Sequence, residues 1–322
     1  MYPTFGWRVL ARLGLGLGLL AGAAMAQGGG RGRDQSPRLR EANEHLRAGR
    51  AGEALAAVKA ELAANPTSSG AANLLDVLGA TQEARQVFQR RIETAPDAAA
   101  KATAQRALAM SYAFDGDCAN VVKYEREVMA YWRTQEKADP QTAFYQQGEM
   151  ANEAARVCID QGDLARAEEL YRLGTELGLK EPEPKTHPAS LWKFRLAHAL
   201  ARLAARRGDA GEAKRQVAVA RSILDGDRAM AEQQERFFPY LTGYVAFYTG
   251  DLATAKADFT KAVGMSGNQN DPFFTCLLAM TEEELGNKDR ALELYRKAYG
   301  LATAHNPPAA FVRPFARKKL GL

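Results

Sequence analysis

Arg195, His198 and Arg202 stand three and four residues apart, a spacing that sets all three side chains on one face of a helix. Two guanidinium groups on one face suit carboxylates, which they grip bidentately, and partial desolvation strengthens the grip. Phe237, Tyr240 and Tyr244 follow the same rhythm and would form an aromatic wall able to hold an apolar side chain. This chemistry is recognition rather than bond breaking. No Gly-x-Ser-x-Gly elbow, His-Glu-x-x-His helix or phosphate-binding Gly-rich loop followed by Lys occurs. His45, His187, His198 and His305 are scattered without metal-ligand spacing. The Asp-Gly-Asp strings at Asp115 to Asp117 and Asp225 to Asp227 lack the further oxygens of a calcium loop and read as turns. No catalysis, metal or cofactor is expected.

The elements that must position these residues repeat. A Gly followed five residues later by Ala occurs at Gly49/Ala54, Gly79/Ala84, Gly162/Ala167, Gly208/Ala213, Gly250/Ala255 and Gly286/Ala291, with Gly116/Val121 a looser copy. Nine residues after the Gly comes Val58, Phe88, Tyr171, Val217, Phe259 or Tyr295; only Glu125 breaks this, with Tyr124 beside it. Gly tolerates the left-handed backbone that ends a helix. Asp117, Asp163, Asp209, Asp251 and Asn287 follow it directly, where a side-chain oxygen can cap the next helix, and Asp209 with Glu212 matches a reciprocal capping box. The Ala lets the two helices approach closely. Pro66, Pro96, Pro140, the segment from Pro182 to Pro188, and Pro272 mark boundaries, and Pro239 should kink or start a helix.

This register resembles the tetratricopeptide repeat family from Arg38 to Ala302. The family's repeat is about 34 residues, and the uneven spacing of the turn glycines requires longer helices or loops in the middle repeats. The resemblance implies an all-α fold, a right-handed superhelical solenoid of stacked antiparallel helix pairs. About seven repeats would span 38–306, followed by a C-terminal capping helix over 307–322 with Phe311, Val312 and Phe315 facing the last repeat. In the family the first helix of each pair lines the concave surface. That offset assigns Glu149, Asn152, Arg156 and Asp160 to the groove, then Arg195, His198, Arg202 and Arg206, then Phe237, Tyr240, Tyr244 and Tyr248, then Phe273, Cys276, Met280 and Glu284.

Asn152, Arg156, Arg195, His198, Arg202, Phe237, Tyr240 and Tyr244 form the candidate ligand groove. They resemble the clamp with which some family members hold an acidic C-terminus, with Arg dominating here where those combine Lys, Asn and Arg. The alternative is local: Arg pairing with Glu149 or Asp160, and aromatic side chains packed as core. In a stacked solenoid the corners holding Cys118 and Cys158 are neighbours, so a bridge between repeats and two separate buried thiols both stand open. Cys276 reads as packing.

The chain of 322 residues has 43 Lys plus Arg against 38 Asp plus Glu and is 46% hydrophobic, which excludes collagen-like, disordered and disulfide-scaffold classes. Its net charge of +5 is spread among interspersed charges, and no nucleic-acid partner is expected. Arg8 and Arg12, the apolar run from Leu13 to Ala24 and the small residues Ala24 and Ala26 have the layout of a signal peptide over 1–26, cleaved before Gln27. A flexible leader over 27–37 follows. No Cys follows the cleavage position, so a lipid anchor and stable membrane insertion are not expected, and the location is periplasmic or secreted. The expected function is an exported, non-enzymatic scaffold binding a peptide or protein partner in its concave groove through an acidic or C-terminal carboxylate. The alternatives are a structural subunit of a larger envelope or secretion assembly, and a binder of small anionic ligands.

Overall fold

The computed structural model describes residues 36–322. The expected signal peptide and most of the expected leader lie outside these residues. Among the described residues every regular element is helical. Seven antiparallel pairs follow in order: α1 (Pro37–Arg47) with α2 (Ala51–Ala64), α3 (Ser69–Leu78) with α4 (Thr81–Glu93), α5 (Ala98–Phe114) with α6 (Cys118–Gln135), and α7 (Pro140–Gln161) with α8 (Leu164–Leu179). Then come α9 (Ala189–Arg206) with α10 (Ala210–Gly226), α12 (Phe238–Tyr248) with α13 (Leu252–Gly264), and α14 (Pro272–Glu284) with α15 (Lys288–Leu301). The short α11 (Arg228–Gln234) links the fifth pair to the sixth, and α16 (Pro307–Leu320) ends the chain.

The repeat register explains the pairs. All seven turn glycines have positive φ, between 69° and 88°, a region costly for side chains with a Cβ. Asp117, Asp163, Asp209 and Asp251 each accept a hydrogen bond from the backbone N–H three residues on. Asn287 does not cap; its amide donates to Glu282 at 2.7 Å instead. Only half of the capping box forms, because the Glu212 carboxylate turns to Arg215 and Gln216. The Ala, or Val121, five residues past each Gly is buried at the helix crossing. Glu125 occupies its apolar position as a buried carboxyl, beside the buried Arg106–Glu153 pair at 2.8 Å.

Extra chain in the middle repeats is spent on longer helices, the 180–188 connection and α11. Pro140, Pro239 and Pro272 each open a helix, where the missing N–H costs nothing. Gly148, Gly174 and Gly178 let α7 and α8 close around the fully buried Trp192 of α9; a Cβ on Gly148 would lie 2.8 Å from the Gly174 carbonyl.

The last helix does more than cap. It packs on α14 and α15 as its apolar face implies, and it continues against α3, α5 and α7. His305 sits between the Phe88 and Phe114 rings, and its Nε2 is 2.8 Å from Asp76 Oδ2. The buried Arg313 donates to the Val77 carbonyl at 2.8 Å and to the Tyr299 carbonyl at 3.2 Å, with its guanidinium 3.8 Å above the Tyr299 ring. The C-terminal segment thus joins the last pair to the second and fills part of the concave side.

Candidate functional site

Three inner helices set side chains in parallel rows, one per turn. Helix α7 contributes Asn152, Arg156 and Asp160, α9 contributes His198, Arg202 and Arg206, and α12 contributes Tyr240, Tyr244 and Tyr248. α12 packs against α9, so the Tyr row faces the Arg row. Arg202 donates to the Tyr171 hydroxyl at 3.0 Å and the Tyr240 hydroxyl at 3.2 Å, and Arg206 reaches the Tyr244 and Tyr248 hydroxyls at 3.4 Å each.

The residues anticipated from sequence divide into floor, rim and support. Arg202, His198, Phe237, Tyr240 and Tyr244 are buried to 4% exposure or less and form the floor. Tyr240 stacks on Phe274 with centroids 4.8 Å apart. Burial, with the nearby Arg202 and Arg156 charges, drives the His198 pKa well down, so its ring is neutral. Arg156 is half-buried with its guanidinium 4.9 Å above the Phe273 ring of α14. Asn152 turns toward Gly174 of α8. Arg195 is engaged elsewhere: it pairs with Glu149 and lies 4.7 Å over Trp192, away from the Arg202 hydroxyl cluster.

Arg206, Tyr248 and Asp160, which the repeat offset assigned to the groove but which the candidate ligand set left out, complete the rim. They occupy the same inner-face register, one turn beyond Arg202, Tyr244 and Arg156, and that step was the available signal. Among the described residues no carboxylate lies within 4.0 Å of Arg202 or Arg206. Burial pushes the Asp160 carboxyl up to about 6, against the pull of Arg156, Arg202 and Arg206. In the same last turns of α7, between Arg156 and Asp160 in the chain, Cys158 is joined to Cys118 by a disulfide with Cα atoms 4.9 Å apart. No cluster of three or more His, Cys, Asp or Glu able to hold a metal occurs among the described residues, and no helix there is long and apolar enough to cross a membrane.

A family model described as tetratricopeptide repeat matches residues 276–305, the second half of α14 through α15 and the turn after it. A tetratricopeptide repeat protein from Parabacteroides merdae is similar in structure, with 16% sequence identity, a TM-score of 0.43, and coverage of 88% of this chain and 96% of that one. No curated protein matches. The six pairs before it repeat the turn register of the matched pair, and the described chain is an all-α solenoid of stacked helix pairs similar to tetratricopeptide repeats. Such repeats generally mediate protein–protein interaction and scaffolding and are typically non-enzymatic.

Proposed function

We propose that this protein is an exported scaffold that holds a peptide or protein partner at the inner wall formed by α7, α9 and α12, through an acidic side chain or a C-terminal carboxylate. One observation carries the reading: Arg202 and Arg206 are ordered by tyrosine hydroxyls and by no carboxylate of the described chain. Elsewhere Arg106 and Arg195 have their own glutamates, Glu153 and Glu149, and the buried Arg313 is taken up by two backbone carbonyls. Asp160 is the nearby carboxyl, and it makes no ion pair with either arginine; a desolvated guanidinium held in place by neutral hydroxyls favours an incoming anion. Large apolar side chains are sparse on the surface, with Val219, Leu285 and Leu322 the exposed ones among the described residues, which supports a partner that comes and goes over a permanent dry interface. Export rests on the leader pattern of residues 1–26, and the Cys118–Cys158 bridge suits an oxidising compartment.

The test is calorimetric titration of the chain from Gln27 with peptides ending in a free carboxylate and with their C-terminal amides. The free acids should bind and the amides bind at least tenfold more weakly, and Arg206→Ala, at a half-exposed position, should remove that difference. Equal binding of acid and amide by the wild type would end the carboxylate reading. Export is checked separately by fractionation and intact mass, which should give a chain beginning at Gln27 outside the cytoplasm.

A further inference from the structure

We infer that the C-terminal helix is a fixed wall of this same site, in which Phe311 and Phe315 select a partner whose terminal residue carries a large apolar side chain. The inference rests on the inner-wall reading above and adds what lies beside the carboxylate.

The argument begins with Arg156. Its guanidinium lies over Phe273, and Phe273 meets Phe311 of α16 edge to face with centroids 5.2 Å apart. Phe311 in turn stacks on Phe315 at 5.4 Å and 14° between planes. A continuous aromatic strip therefore runs from the cationic rim into α16. Phe273 is buried and serves as its floor, whereas Phe311 and Phe315 keep part of their surface open, as does Met280 on α14. Helix α16 touches both α7 and α14, which places the strip beside the row that carries Arg156 and Asp160. Cationic and apolar surfaces adjoining in this way match a chain terminus, where a carboxylate and an apolar side chain leave the same Cα.

The same helix could instead be a plug that a partner must expel. Its attachments argue against that. His305 is clamped to Asp76 between two Phe rings, the buried Arg313 is hydrogen-bonded to two backbone carbonyls, and Lys319 pairs with Glu283 at 2.7 Å. Pro307, Pro308, Ala309, Ala310, Val312 and Ala316 are buried against the pairs. Expelling α16 would expose all of this apolar surface at once. A wall held so firmly is preorganised, and binding to it loses little in ordering side chains.

The experiment uses the chain from Gln27 and matched peptides with free carboxylates that differ only in the last residue, Phe, Leu, Ser or Gly. Wild type should prefer Phe and Leu over Ser and Gly by roughly tenfold or more. Phe311→Ala should abolish this preference while keeping the carboxylate-over-amide difference, and Phe311→Leu should keep most of it. Circular dichroism and thermal melting confirm that each variant is folded. Equal binding of all four acids by the wild type overturns the inference while the carboxylate reading stands; no binding of any acid removes the reading beneath it. Tighter binding of every peptide by Phe311→Ala also overturns it, because that is the behaviour of a plug.

Discussion

His305 Nε2 lies 2.8 Å from Asp76 Oδ2, a contact between residues 229 apart in the chain. Asp76 is fixed from its other side by the Ser111 hydroxyl at 2.8 Å, so one carboxylate ties α3, α5 and the C-terminal segment together. A solenoid stabilised only between neighbours could breathe open along its length. This contact joins its second pair to the segment after its last.

His305→Ala should therefore loosen the whole C-terminal segment. It removes a ring packed between Phe88 and Phe114 and leaves the buried Asp76 with one hydrogen-bond partner fewer. We expect a loss of about 2–4 kcal/mol in denaturant unfolding. Amide hydrogen exchange should rise in α16 and α3 together; a rise confined to α16 would mean that the second pair and the C-terminal helix are not coupled.

Arg202 and Arg206 should respond differently to truncation. Arg202→Ala strips the Tyr171 and Tyr240 hydroxyls of their donor inside the fold, at an expected cost of about 3 kcal/mol or more. Arg206→Ala, at the half-exposed rim, should change stability by less than about 1 kcal/mol and act on ligand binding instead. Thermal melting of both variants separates floor from rim.

Asp160 should make anion binding dependent on pH. Its carboxyl titrates at about 6 in the unliganded protein, and an added anion would raise that value further. Binding then takes up protons, so affinity rises as pH falls from 7.5 toward 6 and levels off below. The neutral His198 does not titrate in this window. Asp160→Asn should give a flat profile in the same titration with a free-acid peptide.

Glu125 should make stability fall with rising pH. Burial, and the nearby Glu153 charge, raise its folded pKa well above the ordinary carboxylate value, opposed by Arg106. The stabilising contribution is complete below the unfolded pKa and is lost as pH climbs to the folded one, at up to about 1.4 kcal/mol per pH unit. Glu125→Gln, which cannot ionise, should flatten that slope in urea titrations across pH 4 to 8.

The Cys118–Cys158 bridge closes a loop with a sequence separation of 40. Its removal by Cys158→Ser should cost about 3–4 kcal/mol on the loop-entropy estimate. Because Cys158 is fully buried, dithiothreitol should leave the folded protein oxidised and act only once denaturant opens the repeats. Urea unfolding reads the first outcome and peptide mapping without reductant the second.

What the sequence alone determined is local. Gly at each turn, Asp after it, Ala at the crossing and Pro at the boundaries are short-range requirements of helix ends and close packing, and they were legible as a period. The inner-face rows of α7, α9 and α12 were legible for the same reason, since a helix puts every fourth residue on one side. Tertiary structure decided the rest. Arg195 and Arg202 share a helix face, yet Glu149 takes the first and hydroxyls hold the second, because neighbouring helices present different groups to each turn. Trp192 needed three glycines from two other helices. The reach of α16 from the last pair to Asp76 depends on the accumulated curvature of the six pairs from α3 to α15, and no window of residues encodes that sum.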